Sequence, residues 1–130
     1  EGKLRKSTAM SAGYDLFATA ASLIPINGRA AIPTGVKTEM VSGVVGLIQD
    51  RSGLALENGI TTLAGTIDAD YALEWKVILL NTGNYPFVIN VGDRIAQVVF
   101  VRRLDVIASI GAEVENKWEQ RTGGFGSTGK

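Results

Sequence analysis

Asp68 and Asp70 stand two residues apart within Gly65-Thr66-Ile67-Asp68-Ala69-Asp70-Tyr71. In an extended segment, alternation places both carboxylates on one face. Such a pair can hold a metal ion, or split its pKa values into an acid and a base. Taken alone, the segment equally fits two solvated turn acids beside a packed Tyr. Asp50-Arg51-Ser52-Gly53-Leu54 carries different chemistry. An apolar strand ends there and a helix can begin. Unpaired N–H groups at a helix start, a guanidinium fork and a hydroxyl together make a phosphate cradle. Taken alone, these residues also fit a capped helix in an ordinary connection. Near the C-terminus, Arg121-Thr122-Gly123-Gly124-Phe125-Gly126-Ser127-Thr128-Gly129 combines a guanidinium, a ring, hydroxyls and glycines. A donor-rich strip of this kind can wrap phosphate oxygens while Phe125 stacks on a flat ring.

Lesser candidates lie in two further segments. Asp15, in Ala12-Gly13-Tyr14-Asp15-Leu16, can approach a cation or cap a turn. Gln97, in Gly92-Asp93-Arg94-Ile95-Ala96-Gln97, is a polar amide inside an apolar strand, while Asp93 and Arg94 read as structural turn residues.

Composition narrows the chemistry. The chain has 130 residues, with no His and no Cys. Disulfides, thiolate metal sites and an imidazole base are therefore excluded. Catalysis must use carboxylates, Lys, Tyr, hydroxyls or a borrowed metal ion. Thirteen basic and thirteen acidic side chains cancel, so no global field points to nucleic acid or an anionic membrane as partner. No apolar run approaches the roughly 20 residues of a bilayer span. The opening Glu1-Gly2-Lys3-Leu4-Arg5-Lys6 does not read as a secretory signal. A cytoplasmic protein is the expectation, with a nuclear or viral setting also compatible.

These residues must be held by short elements. Sixteen glycines punctuate the chain, and β-branched stretches lie between them at residues 23–26, 35–41, 44–48, 76–80, 86–91 and 95–101. Their length and composition predict strands. Asn27-Gly28, Pro33-Thr34-Gly35, Thr82-Gly83-Asn84 and Gly92-Asp93 supply the turns. Regular short strands predict an all-β sandwich, barrel or jelly roll in one domain. One short helix is expected over residues 52–57, with Ser52 as N-cap and Asn58-Gly59 as the stop.

Taken in order, the five segments resemble the five motifs of the trimeric dUTPase family. Ala12 to Ala18 is similar to the first, Arg51-Ser52-Gly53-Leu54-Ala55 to the second and Gly65 to Tyr71 to the third. Gly92 to Gln97 is similar to the fourth and Arg121 to Gly129 to the fifth. The resemblance covers nearly the whole chain, and Gly-Phe-Gly-Ser-Thr-Gly is its most specific piece. It implies an all-β, single-domain jelly roll of the dUTPase-like β-clip kind over residues 1–120, with at most one short helix. Residues 121–130 would form a flexible arm closing over a neighbouring subunit's active site in a homotrimer.

The resemblance also implies the reaction. dUTP plus water gives dUMP and pyrophosphate, with Mg²⁺ carried mainly on the triphosphate, keeping uracil out of DNA and supplying dUMP for thymidylate synthesis. Asp68 matches the carboxylate that activates the attacking water. Arg51, Ser52, Gly53 and Gln97 match phosphate contacts. Asp15 matches an acid reaching the metal through water. Gly65, Thr66 and Ile67 would read the uracil edge by their backbone, with Thr62 as a further base contact and Lys76 lining the substrate. Tyr71 would pack on the deoxyribose and Phe125 on uracil. Arg121, Gly126, Ser127 and Thr128 would hold the outer phosphates.

The chain departs from the family pattern in two places. Asp50 stands where Pro is usual, and a carboxylate there repels phosphate unless it points away or pairs with Arg51. Ala72-Leu73-Glu74 replaces the usual Arg-Gly-Glu, and a usual Gly suggests a backbone costly for Leu73. These departures motivate one alternative, a catalytically weak or inactive nucleotide-binding or regulatory trimer; a dCTP deaminase relative is a second, against which Ile67-Asp68 and the complete closing segment stand.

Overall fold

The computed structural model describes residues 2–111, 123–125 and 129. Among these residues, ten strands and one helix follow one another: β1 (Leu4–Arg5), β2 (Tyr14–Phe17), β3 (Ser22–Ile24), β4 (Arg29–Pro33), β5 (Val44–Gln49), α1 (Ser52–Asn58), β6 (Ile60–Leu63), β7 (Thr66–Ile67), β8 (Lys76–Asn81), β9 (Phe87–Ile89) and β10 (Arg94–Arg102). One sheet runs β1-β2-β10-β5-β7, a second runs β4-β8-β6, and β3 pairs with β9 as a separate ribbon. All pairings are antiparallel. This is the all-β jelly roll that the resemblance implies, with one short helix among the described residues.

Strand formation follows alternation. In β8, Val77, Leu79 and Asn81 turn inward while the residues between them stay more open. In β10, Ile95, Ala96 and Val98 are buried, and the register shifts between Arg94 and Ala96 on the β2 side. One core cluster draws on both sheets and the ribbon, including Leu16, Ile24, Ile32, Ile48, Ile67, Trp75, Val77, Leu79, Ile89 and Val98. Each large aliphatic side chain so enclosed contributes about 1.5–3 kcal/mol. Asn81 is fully buried, yet its amide is satisfied: Nδ2 donates to Ile24 O and Tyr85 O, and Oδ1 accepts from Gly83 N. It thereby ties β3 to the β8–β9 turn.

Two sequence expectations change. Residues 35–41 form no strand. Gly35 sits at φ +69, and the neighbouring bonds run singly to one residue, Thr34 N to Trp75 O and Trp75 N to Val36 O, rather than as a ladder. Ser52 is not the N-cap. Arg51 holds that position with extended backbone (φ −91, ψ 127) and no side-chain cap, and Ser52 is already helical. The helix stops as expected, at left-handed Gly59, whose N–H bonds back to Ala55 O.

After β10, residues 103–111 carry no strand, and Leu104, Val106, Ile107 and Ile110 are exposed. The expected domain boundary at residue 120 lies outside the described residues. No helix among the described residues is long and apolar enough to cross a membrane.

Candidate active site

Five of the expected site residues line one hollow of about 550 Å³: Thr66, Ile67, Tyr71 and Lys76 from the substrate set and the catalytic candidate Asp68. β7 builds its floor. It is the outermost strand of its sheet, paired to β5 through Thr66↔Leu47 and Gly46↔Ile67, so its other edge has no strand partner among the described residues. Unpaired main-chain groups on such an edge can read a flat ring. Gly65 admits the chain to β7. It sits at φ +107, its carbonyl accepts from Ile48 N at 2.9 Å, and a Cβ there would stand 3.0 Å from Ile48 Cβ. No side chain larger than hydrogen fits without strain.

Strand geometry ends at Ile67. The chain then turns, with Tyr71 N donating to Asp68 O at 3.1 Å. The expectation that Asp68 and Asp70 share one face of an extended segment is therefore corrected. Both acids do line a second hollow, of about 590 Å³, beside Ser42 and Arg103, but only Asp68 also faces the first. Asp68 is exposed, and none of the described residues donates to its carboxylate. Tyr71 Oη donates to Glu74 O at 3.2 Å, which fixes the ring across the turn. Leu73 is not among the residues at positive φ, so the connection between β7 and β8 accommodates it without left-handed strain.

The phosphate candidates gather elsewhere. Gln97 Nε2 donates to Asp50 O at 3.0 Å. Gly13 leaves room for that amide, since a Cβ on it would stand 2.7 Å from Gln97 Oε1. Arg51 Nη1 donates to Arg94 O at 3.3 Å, and Ser52 and Gly53 lie exposed in the first turn of α1. Thr62 belongs with this group rather than with β7: its N–H and its hydroxyl both donate to Asp50 Oδ1 at 2.7 Å. A hollow of about 580 Å³ is lined by Asp50, Thr61, Thr62 and Gln97 among others, and none of its lining residues lines the β7 hollow.

Asp50 is the feature the sequence left unresolved. It does not pair with Arg51. Thr61 Oγ1 donates to its Oδ2 at 2.6 Å, completing a set of three donors. Burial pushes its pKa up, but the hydrogen bonds from Thr61 and Thr62 outweigh burial and leave it below the ordinary 3.8.

Asp15 sits on β2 opposite Gln97. Its Oδ2 accepts from Ser7 Oγ at 2.8 Å and lies 3.5 Å from Arg94 Nη1. Arg94, which the sequence suggested was only structural, therefore joins the Asp15 side of the site to Arg51. Asp93 keeps the turn role expected of it, its carboxylate accepting from Asn90 N at 2.8 Å. No cluster of three metal-ligating side chains occurs among the described residues. Phe125 is fully exposed. Arg121, Gly126, Ser127 and Thr128 lie outside the described residues.

A family model described as dUTPase matches residues 3–129. The chain belongs to the dUTPase family. Curated relatives named deoxyuridine 5'-triphosphate nucleotidohydrolase include one from Wolinella succinogenes, 46% identical over 95% of this chain and 83% of its own length. Another, from Candida albicans, is 44% identical over 96% of this chain and 79% of its own. A mutant of the Staphylococcus bacteriophage 80alpha dUTPase, solved with dUpNHpp, superposes with a TM-score of 0.88 at 25% identity, covering 98% of this chain and 91% of its own. Within the dUTPase family, the edge strand β7, the Asp68 turn and the Arg51–Gln97 group fall in the third, second and fourth motif segments read from the sequence.

Proposed function

We infer that this chain hydrolyses dUTP to dUMP and pyrophosphate, with the β7 hollow as the nucleoside site. The observation that carries this reading is the convergence of Thr66, Ile67, Asp68, Tyr71 and Lys76 on one hollow beside a strand edge that has no partner among the described residues. Main-chain groups of β7 read the uracil edge. Cytosine exchanges donor and acceptor and leaves buried groups unpaired, at about 1–3 kcal/mol per group. Thymine adds a methyl to a closely fitted edge. Tyr71, braced on Glu74 O, packs on the deoxyribose and fills the space a 2′-hydroxyl would need.

Asp68 orients water and takes its proton. The water oxygen bonds to the α-phosphorus, the bond from that phosphorus to the bridging oxygen breaks, and pyrophosphate leaves. A carboxylate is a modest base, so most acceleration comes from positioning and neutralised charge. Arg51, Ser52, Gly53 and Gln97 hold phosphate oxygens, with Arg121, Gly126, Ser127 and Thr128 closing from the arm and Phe125 stacking on the base.

Asp15 keeps Oδ1 clear of donors among the described residues and offers a hard oxygen suited to Mg²⁺. A lone carboxylate cannot supply an octahedral shell, which suits an ion that arrives on the triphosphate with its waters. When bound, Mg²⁺ supplies charge neutralisation and alignment of the phosphate oxygens.

A homotrimer completes the site in this reading. Two observations support it: the β7 hollow and the Asp50–Gln97 hollow share no lining residue, and Leu104, Val106, Ile107 and Ile110 form an exposed apolar run. The deciding assay is pyrophosphate release from dUTP beside ammonia release from dCTP, with the mass measured in solution. Pyrophosphate from dUTP alone, from a particle of three chains, is expected. Ammonia from dCTP without pyrophosphate from dUTP would overturn the reading.

A further inference from the structure

We propose that Asp50 is a positioning residue that joins the phosphate loop, β6 and Gln97 into one unit, and that the same contacts turn its charge away from the triphosphate. The proposal rests on the reading of Arg51 and Gln97 as phosphate contacts.

β5 ends at Gln49 and α1 begins at Ser52, so only Asp50 and Arg51 link them. A two-residue link has no slack: the orientation of Asp50 sets where Arg51 leaves the sheet. Asp50 is pinned at both of its oxygen-bearing ends. Its carboxylate takes Thr61 Oγ1 at 2.6 Å and Thr62 N and Oγ1 at 2.7 Å each, all from β6. Its main-chain oxygen takes Gln97 Nε2 at 3.0 Å from β10. The residue therefore bonds to two strands while standing beside Arg51.

The arrangement also answers an electrostatic problem. A carboxylate in the wall of a phosphate-facing hollow should raise the cost of binding a triphosphate. Here both carboxylate oxygens already accept from the protein, and the donors lie on β6. The hydrogen bonds outweigh burial and keep the group charged, so it meets β6 as a satisfied acceptor. The clamp is local chemistry of this chain: it needs Asp at 50 together with hydroxyls at 61 and 62.

Steady-state kinetics on dUTP separates the roles. Asp50→Ala frees the link and is expected to raise KM about tenfold while kcat stays within about threefold. Asp50→Asn keeps an oxygen toward Thr62 and can donate its amide to Thr61 Oγ1, so KM should return to within about threefold of the parent. Thr61→Val removes one donor outside the substrate-binding set and should raise KM about threefold, and adding it to Asp50→Ala should cost nothing further. A folded Asp50→Ala with unchanged KM, or Asp50→Asn as impaired as Asp50→Ala, would overturn the proposal. Should Asp50→Ala fail to fold, Thr61→Val decides alone: unchanged KM overturns it. Arg51→Ala, run in parallel, distinguishes the failures. If that variant also leaves KM unchanged, the phosphate reading has failed. If its KM rises while that of Asp50→Ala does not, the clamp alone has failed.

Discussion

Gln97 Nε2 reaches the main-chain oxygen of Asp50, so an amide in the middle of an apolar strand closes the end of its neighbour. On either side of it, Ala96 and Val98 are fully buried. The amide is thus a polar insertion in a core strand, tolerated because its donor is satisfied and because Gly13 makes room for it.

Replacing Asp68 by Asn should remove the base while leaving the turn, whose bond uses the main-chain oxygen of Asp68. A loss of about 10²–10⁴ in kcat is expected, with little change in KM. Pyrophosphate release measured under saturating dUTP checks this. Turnover surviving at the parent rate would remove Asp68 from its role.

Gly65→Ala should destabilise the fold. The added Cβ meets Ile48 Cβ at 3.0 Å and Ile48 O at 3.2 Å, and the backbone stands at φ +107. Strain and crowding together should cost about 1–3 kcal/mol. Urea unfolding of both proteins at one concentration would read the difference, and equal midpoints would contradict the geometry.

Phe125→Ala should leave the melting temperature unchanged, because the fully exposed ring contributes nothing to the core. Loss of stacking on uracil should weaken nucleotide binding by roughly 1–3 kcal/mol. Calorimetric titration with a non-hydrolysable dUTP analogue measures that loss. A fall in melting temperature would instead give the ring a structural contact.

The acid titration of Asp50 tests its three donors directly. Its folded pKa lies below the ordinary 3.8, so its contribution to stability is present above that value and is lost as pH falls through the folded value. Carbon-13 NMR should find the carboxyl midpoint below 3.8, and Thr61→Val should move it upward. A midpoint at or above the ordinary value would mean that burial outweighs the hydrogen bonds.

How much of this was legible depended on how local the signal was. β5, β8 and β10 were readable because each is a long apolar run with turn residues beside it. β7 signals a motif and not a strand, since two residues are too few to show a period. The strand expected at residues 35–41 had suitable composition, but its main chain found Trp75 in place of a partner strand. The third-motif residues were recognisable by type and order, and the structure brings most of them to one hollow. Thr62 was identified by the same resemblance, yet its hydrogen bonds go to Asp50. That contact could not be read from the sequence, because the partners lie 12 residues apart and meet only when β6, after the helix, comes back to Asp50. Arg94 escaped for a similar reason, its contact with Asp15 spanning 79 positions.

The exposed run after β10 has one more consequence. If Leu104, Val106, Ile107 and Ile110 are hidden only by other copies of the same chain, then folding and assembly share a single equilibrium. No unfolding free energy or melting temperature then has meaning without a stated protein concentration. Dilution alone should disarm the protein, through mass action and without any inhibitor.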